Sequence, residues 1–216
     1  MKKRSPLLAA SVANNADFEI SVESNMNIVL STPNSIGNTF LCDLSAIRKR
    51  LVVGKDAKSW LANHVNSVPD QMYAISVLPD NALAVRIHRQ QWLLIDGYRS
   101  DLYDELFMMP SGVHGDVLFL DYECADFALG GPQVDEIMSE LCPLPIGDLT
   151  AHFWCATRMA HTDTVLIPYD QPYRHYRILA TPADARFVYA ILSEVLRDLG
   201  GEQIGFEQYW RDYCKQ

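Results

Sequence analysis

Apolar residues recur along this chain with two periods, and the order in which those periods appear repeats. From 82 to 97, ALAVRIHRQQWLLIDG alternates Val85 and Ile87 with Arg86 and His88, the period of a half-buried strand. Arg89-Gln90-Gln91 divides that run into a hairpin. Residues 164 to 180, TVLIPYDQPYRHYRILA, predict a second hairpin turning near Asp170-Gln171-Pro172. A helix is expected after each. In the first, Leu102, Tyr103, Leu106 and Phe107 share a face; in the second, Phe187, Val188, Ile191, Leu192, Val195 and Leu199 do so, ending at Gly200-Gly201. Thr181 suits the N-cap of that second helix, with Pro182 at its first position and Asp184 in its first turn.

The stretches ahead of the hairpins match as well. LVVGKDAKSWLANHV (51 to 65) and ALGGPQVDEIMSELC (128 to 142) each give a short apolar strand, a glycine and an amphipathic run. Ala57, Trp60, Leu61 and His64 lie at i, i+3, i+4 and i+7. Val134, Ile137, Met138 and Leu141 repeat that phase 77 positions later, and Gly54 and Gly131 fall at the same offset. An acidic residue precedes each strand, Asp43 and Asp121, out of register by one. The chain therefore reads as two β-α-β-β-α units, about 41–109 and 116–200. Neither closes a large core alone, which predicts an α+β fold with both packed into one pseudo-symmetric body. DFEISVE and NIVLS add two strands ahead of the first unit, before the turn-rich Thr32 to Asn38, and Met108 to Gly112 is the internal linker. The domain reading is an N-terminal arm, 1–16, and a single domain, 17–216, with an aromatic C-terminal tail.

Composition narrows the function. Eighteen Lys and Arg face 27 Asp and Glu, a net charge of −9 with a pI near 5.0, and that field repels phosphate backbones. General nucleic-acid binding is disfavoured. No stretch reaches the roughly 20 apolar residues that span a bilayer. The five cysteines are odd in number and none lies at C-x-x-C spacing, which favours reduced thiols in a cytoplasmic protein. Lys2-Lys3-Arg4 resembles the start of an export signal, but the apolar run from Leu7 to Val12 is short and interrupted by Ser11. That segment is read as a mobile or partner-bound arm.

Candidate chemistry is sparse. His152, Cys155 and His161 are the nearest to a metal-ligand set, yet no second close ligand pair completes it. Cys142 precedes Pro143 at a helix C-terminus, where the dipole disfavours a thiolate; Cys42 and Cys124 sit in apolar contexts. Arg48-Lys49-Arg50, with Lys55 and Lys58, is the one internal basic cluster, a candidate for a phosphate or polyglutamate tail against the plainer reading of a solvated face. Gly54-Lys55-Asp56 lacks the earlier glycine and the hydroxyl residue of a P-loop, and Gly130-Gly131-Pro132 reads as a tight strand-to-helix turn. Phe206, Tyr209, Trp210 and Tyr213 in the tail suggest either a docking surface or a short helix packed on its own domain. No catalytic or metal-binding residue is assigned.

LCDLSAIRKRLVVGKDAKSWL resembles the opening signature of the glycine-cleavage T-protein (aminomethyltransferase) superfamily: an Asp-Leu-Ser strand, then Gly, Asp-Ala and a helix. More specifically, Lys3-Arg4-Ser5-Pro6-Leu7, Gln91-Trp92-Leu93-Leu94-Ile95 and ALGGPQVDEIMSELCPLPI are similar, in order, to segments of sarcosine oxidase gamma subunits. The resemblance implies a folate-binding-domain-like fold of duplicated units. It also implies a non-catalytic gamma-like subunit of a flavin- and tetrahydrofolate-dependent sarcosine oxidase-type complex. Flavin and NAD would then be held by larger flavoprotein partner subunits. Two departures bear on chemistry. Transferases of the group carry a catalytic Asp on the strand before the first hairpin turn, where Asn81-Ala82-Leu83-Ala84-Val85 has no carboxylate. They also carry Thr-Gly-Glu where this chain has Ile167-Pro168-Tyr169-Asp170-Gln171-Pro172. A stand-alone folate-binding or one-carbon transfer protein is the alternative, with Asp96 or Asp170 as the substitute carboxylate; a homo-oligomeric scaffold is the remaining one.

Overall fold

The computed structural model describes residues 3–4, 19–23, 26–31, 38–98, 101–170 and 173–214. Apart from Lys3–Arg4, the N-terminal arm lies outside the described residues, as do the Thr32 to Gly37 part of the turn-rich segment and the Gln171-Pro172 tip of the second hairpin. The fold is mixed α+β, and chain contacts group it into two compact units: Met1–Ala46 with Cys124–Ala151 and Cys155–Gln216, and Ile47–Glu123 with His152–Trp154.

The chain begins in the first unit with β1 (Lys3–Arg4), β2 (Glu19–Glu23) and β3 (Met26–Ser31), a sheet of order β1-β3-β2, and then β4 (Phe40–Asp43). It next builds the second unit: β5 (Lys49–Val53), α1 (Ala57–Ala62), β6 (Ile75–Val77), β7 (Leu83–His88), β8 (Gln91–Ile95), α2 (Asp104–Met108), β9 (Gly112–His114) and β10 (Val117–Asp121). It returns to the first unit with β11 (Ala125–Gly130), α3 (Val134–Leu141), β12 (Cys155–Met159), β13 (Thr162–Tyr169), β14 (His175–Ala180), α4 (Ala185–Asp198), β15 (Glu202–Gln203) and α5 (Phe206–Tyr213). The second unit's sheet has the order β6-β7-β8-β5-β10-β9, and the first unit's larger sheet β12-β13-β14-β11-β4-β15. The first four strands of each list correspond one for one along the chain. The fifth strands come from elsewhere: β10 pairs with β5 but leads into β11, and β4 pairs with β11 but leads into β5.

Each larger sheet turns one row of alternating side chains onto its helices. In the second unit Val52, Ala84, Trp92, Leu94, Val117 and Phe119 meet Ala57, Leu61, Tyr103 and Leu106. In the first, Leu41, Phe127, Leu129, Tyr176 and Ile178 meet Val134, Ile137 and Met138 of α3 and Val188, Leu192 and Leu196 of α4. Fully burying one such aliphatic side chain contributes about 1.5–3 kcal/mol, so each row fixes which face its strands present.

Several helix details depart from the periodicity. α1 stops at Ala62, so His64 lies beyond it, stacked on Trp60 at 3.7 Å between ring centroids, and Val65 takes the buried place. Leu102 and Phe187 are exposed, because α2 starts only at Asp104 and Phe187 falls off the buried stripe of α4. α4 itself starts at Ala185, since Thr181 closes a turn first. Its Oγ1 donates to Asp184 Oδ2 at 2.7 Å and accepts from Asp184 N at 3.3 Å. The aromatic tail is not an exposed docking surface. Phe206, Tyr209, Trp210 and Tyr213 are the buried side of α5, which packs on β3 and β4.

Gly54 and Gly131 occupy the same strand-to-helix turn in the two units, with φ of 145° and 106°. A Cβ would lie 2.3 Å from Asp116 O at Gly54 and 2.6 Å from Thr39 Cα at Gly131, so both the backbone angle and the space exclude a side chain. Gly54→Ala and Gly131→Ala are each expected to cost about 2 kcal/mol or more. The urea midpoint of each variant measures it, and an unchanged midpoint would show that the turn can relax.

Candidate functional site

Pro79–Asn81 form a single 3-10 turn whose Asp80 and Asn81 take φ of 57° and 60°, and Leu83 to Val85 follow as buried β7. The stretch from Asn81 to Val85 therefore presents apolar strand. Asp96, at the end of β8, is only 4% exposed and its Oδ2 accepts from Arg48 Nε at 2.6 Å. Its Oδ1 accepts from the Gly97 amide at 2.9 Å. Burial raises the Asp96 pKa, and the Arg48 charge and hydrogen bonds offset that only in part. Asp170 Oδ1 accepts from Arg174 Nη1 at 2.7 Å and its Oδ2 from the Ala151 amide at 3.2 Å. Both substitute carboxylates are held by arginine.

The basic cluster divides in two: Arg48, Lys49 and Arg50 are engaged within the fold, and Lys55 and Lys58 are exposed. Arg48 also donates to Asp104 Oδ1 at 2.5 Å and lies over the Phe107 ring. Lys49 is buried, with Nζ donating to Ile47 O at 2.9 Å. Arg50 is buried too and caps the C-terminal end of α2 through the carbonyls of Leu106 and Phe107, at 3.2 and 2.8 Å. Lys55 and Lys58 sit at the surface with Asp116 and Asp70.

A polar network that the sequence reading missed lies in the first unit. Arg177 on β14 and Asp126 on β11 are both 0% exposed and form a two-point ion pair, Nε to Oδ1 at 3.1 Å and Nη2 to Oδ2. Beside it, His175 is 0% exposed, with Nδ1 2.8 Å from Tyr173 O and Nε2 3.0 Å from the Tyr209 hydroxyl of α5. Tyr169 stacks on the same imidazole, 4.5 Å between centroids. Burial lowers the His175 pKa to about 4 and raises that of Tyr169 to about 12. The signal available in sequence was one charge inside each of ADFALG and HYRILA, since a charge in an otherwise apolar strand requires a partner.

None of the five cysteines forms a disulfide, and burial raises the Cys42 pKa well above its usual value and those of Cys155 and Cys214 to about 11. Thiolate chemistry is disfavoured at each of those three. Among the described residues no group of three or more His, Cys, Asp or Glu could hold a metal ion. One open cleft of about 250 Å³ lies in the first unit at the β11-to-α3 turn, lined by Asn38, Gly131, Pro132, Val134, Asp135, Tyr173, Arg174 and Tyr213.

No family model matches the sequence, and no curated protein does. Solved structures do match. Over 96% of its length the chain is similar to the glycine cleavage system aminomethyltransferase T from Bartonella henselae, with a TM-score of 0.71 and 17% identity. It spans 60% of that protein's chain. Over 93% of its length it is similar to a chain of the heterotetrameric sarcosine oxidase from Corynebacterium sp. U-96, solved in complex with pyrrole 2-carboxylate. There the TM-score is 0.63, the identity 14%, and 98% of the matched chain is covered. The fold is thus T-protein-like.

His175 gives the fold a defined pH dependence. Above about pH 6.5 the imidazole is neutral in both folded and unfolded chains, and its contribution is complete. As pH falls toward about 4, the unfolded chain takes up a proton that the folded chain refuses. Stability should drop by about 3 kcal/mol across that window. Urea unfolding of wild type and His175→Gln at several pH values isolates the effect: the variant should lose this part of the slope, and equal slopes would contradict the burial argument.

Proposed function

We propose that this chain is a non-catalytic, gamma-like subunit of a heteromeric, flavin- and tetrahydrofolate-dependent sarcosine oxidase-type complex in the cytoplasm. The observation that carries this reading is the likeness of fold to a chain of a heterotetrameric sarcosine oxidase, at a TM-score of 0.63, in a chain whose Asn81 to Val85 stretch has no carboxylate. On this reading larger flavoprotein subunits hold the flavin and NAD. The two matching strand orders descend from a duplicated β-α-β-β-α unit, and 17–216 works as a single pseudo-symmetric body.

The residues present do not fit tetrahydrofolate as a transferase would hold it. A flat pterin and a reacting one-carbon unit need a positioned carboxylate for orientation and proton transfer. Asn81 to Val85 offers none, and Asp96 and Asp170 are engaged by Arg48 and Arg174. The chemistry of such a complex would then reside in its partners, with this chain supplying surface and support.

The 0.71 TM-score to the aminomethyltransferase keeps a second reading, a stand-alone folate-binding or one-carbon transfer protein, open to a direct test. The purified full chain, titrated with tetrahydrofolate and followed by tryptophan fluorescence, should show no saturable quenching. Asp96→Asn and Asp170→Asn should behave like wild type. Saturable binding by wild type that either variant abolishes would overturn the passive-subunit reading in favour of the second.

A further inference from the structure

The cleft at the β11-to-α3 turn has a chemistry of its own. Arg174, at its wall, cannot serve an incoming anion, because its nitrogens are already committed: Nε to Asp135 at 3.1 Å, Nη1 to Asp170 at 2.7 Å, and Nη2 to the carbonyls of Ile146 and Leu149 at 2.8 and 3.1 Å. Against its single positive charge stand two carboxylates, so the cluster keeps an excess negative charge in a protein of net charge −9. Asp135 accepts both the Arg174 bond and a 2.9 Å bond from the Tyr176 hydroxyl on the same oxygen, Oδ1. Its Oδ2 accepts nothing among the described residues. Tyr173 supplies a ring that is 47% exposed and set edge-on to Tyr213, 5.8 Å between centroids.

We infer that this cleft binds a small organic cation, an alkylammonium or guanidinium group. Its N–H would donate to Asp135 Oδ2 while the charged group lies over the Tyr173 ring. A charge-assisted hydrogen bond and a cation–π contact act on the same group and are both strengthened where water is partly excluded. The positive end of the α3 dipole works against a cation here, and Asp135 and Glu136 in that first turn offset it. The volume of about 250 Å³ is below the usual range for drug-sized ligands, which suits a single amine or one side chain. Two sources offer this chemistry: a free amine, or a Lys or Arg side chain presented by another protein. The inference stands on the cleft alone and does not depend on the subunit reading.

Amide spectra of the isotopically labelled full chain, titrated with methylguanidinium, butylammonium, the peptide acetyl-Gly-Arg-Gly-amide and acetate, provide the test. The three cations should give saturable shifts confined to Gly131–Asp135 and Tyr173–Arg174, and acetate none. A peptide that binds at least about tenfold tighter than methylguanidinium points to a protein side chain as the source, and equal affinities point to a free amine. Asp135→Asn should weaken binding about tenfold. Because Asp135 also anchors Arg174 and Tyr176, Tyr173→Leu, at an exposed ring, provides an independent check and should weaken binding about threefold. No saturable shift with any cation, equal shifts with acetate, or wild-type affinity in both variants would overturn the proposal.

Discussion

The buried ion pair between Arg177 and Asp126 sets the terms for the first unit. Removing one partner of such a pair typically costs 3–5 kcal/mol, because the other is left as an uncompensated charge away from water. The two residues sit on adjacent central strands, β14 and β11, so the pair also fixes the register of the sheet at its middle. α5 completes the seal. Tyr209 meets His175 through a hydrogen bond, and Phe40 of β4 packs against His175, Tyr209 and Tyr213. α5 is therefore part of the interior, and burial there lowers the His175 pKa.

The second unit uses its cations the same way. Arg48 joins Asp96 to Asp104, tying the end of β8 to the start of α2, and Arg50 ties β5 to the other end of that helix. In a chain with few basic residues, these are spent on holding strands to helices. That is the common thread between the fold and the functional reading. Asp96 and Asp170, the two carboxylates placed to substitute for a transferase's, are engaged by Arg48 and Arg174.

Much of this fold was legible locally. The hairpin of β7 and β8, the paired glycines and the buried stripes of α3 and α4 follow from period and turn chemistry, which depend on neighbours a few residues away. The tail was legible too. Phe206, Tyr209, Trp210 and Tyr213 stand at i, i+3, i+4 and i+7, the spacing of one buried helix face, and that pattern outweighs their aromatic character as a sign of docking. What sequence could not supply was partnership at long range. Asp126 and Arg177 are 51 residues apart, and Arg48 meets Asp96 across 48. The fates of β4 and β10, each paired with the strand that follows the other, are likewise set by the tertiary fold. The cleft belongs to the same class, since it draws on Asn38, Asp135, Tyr173 and Tyr213 together.

The most direct measurement of the central claim is to isolate the tagged chain from its source cells under gentle salt and record subunit stoichiometry by mass spectrometry together with the visible spectrum. The account predicts larger chains recovered in a fixed ratio and carrying the absorbance of bound flavin. A chain recovered alone and colourless would contradict it.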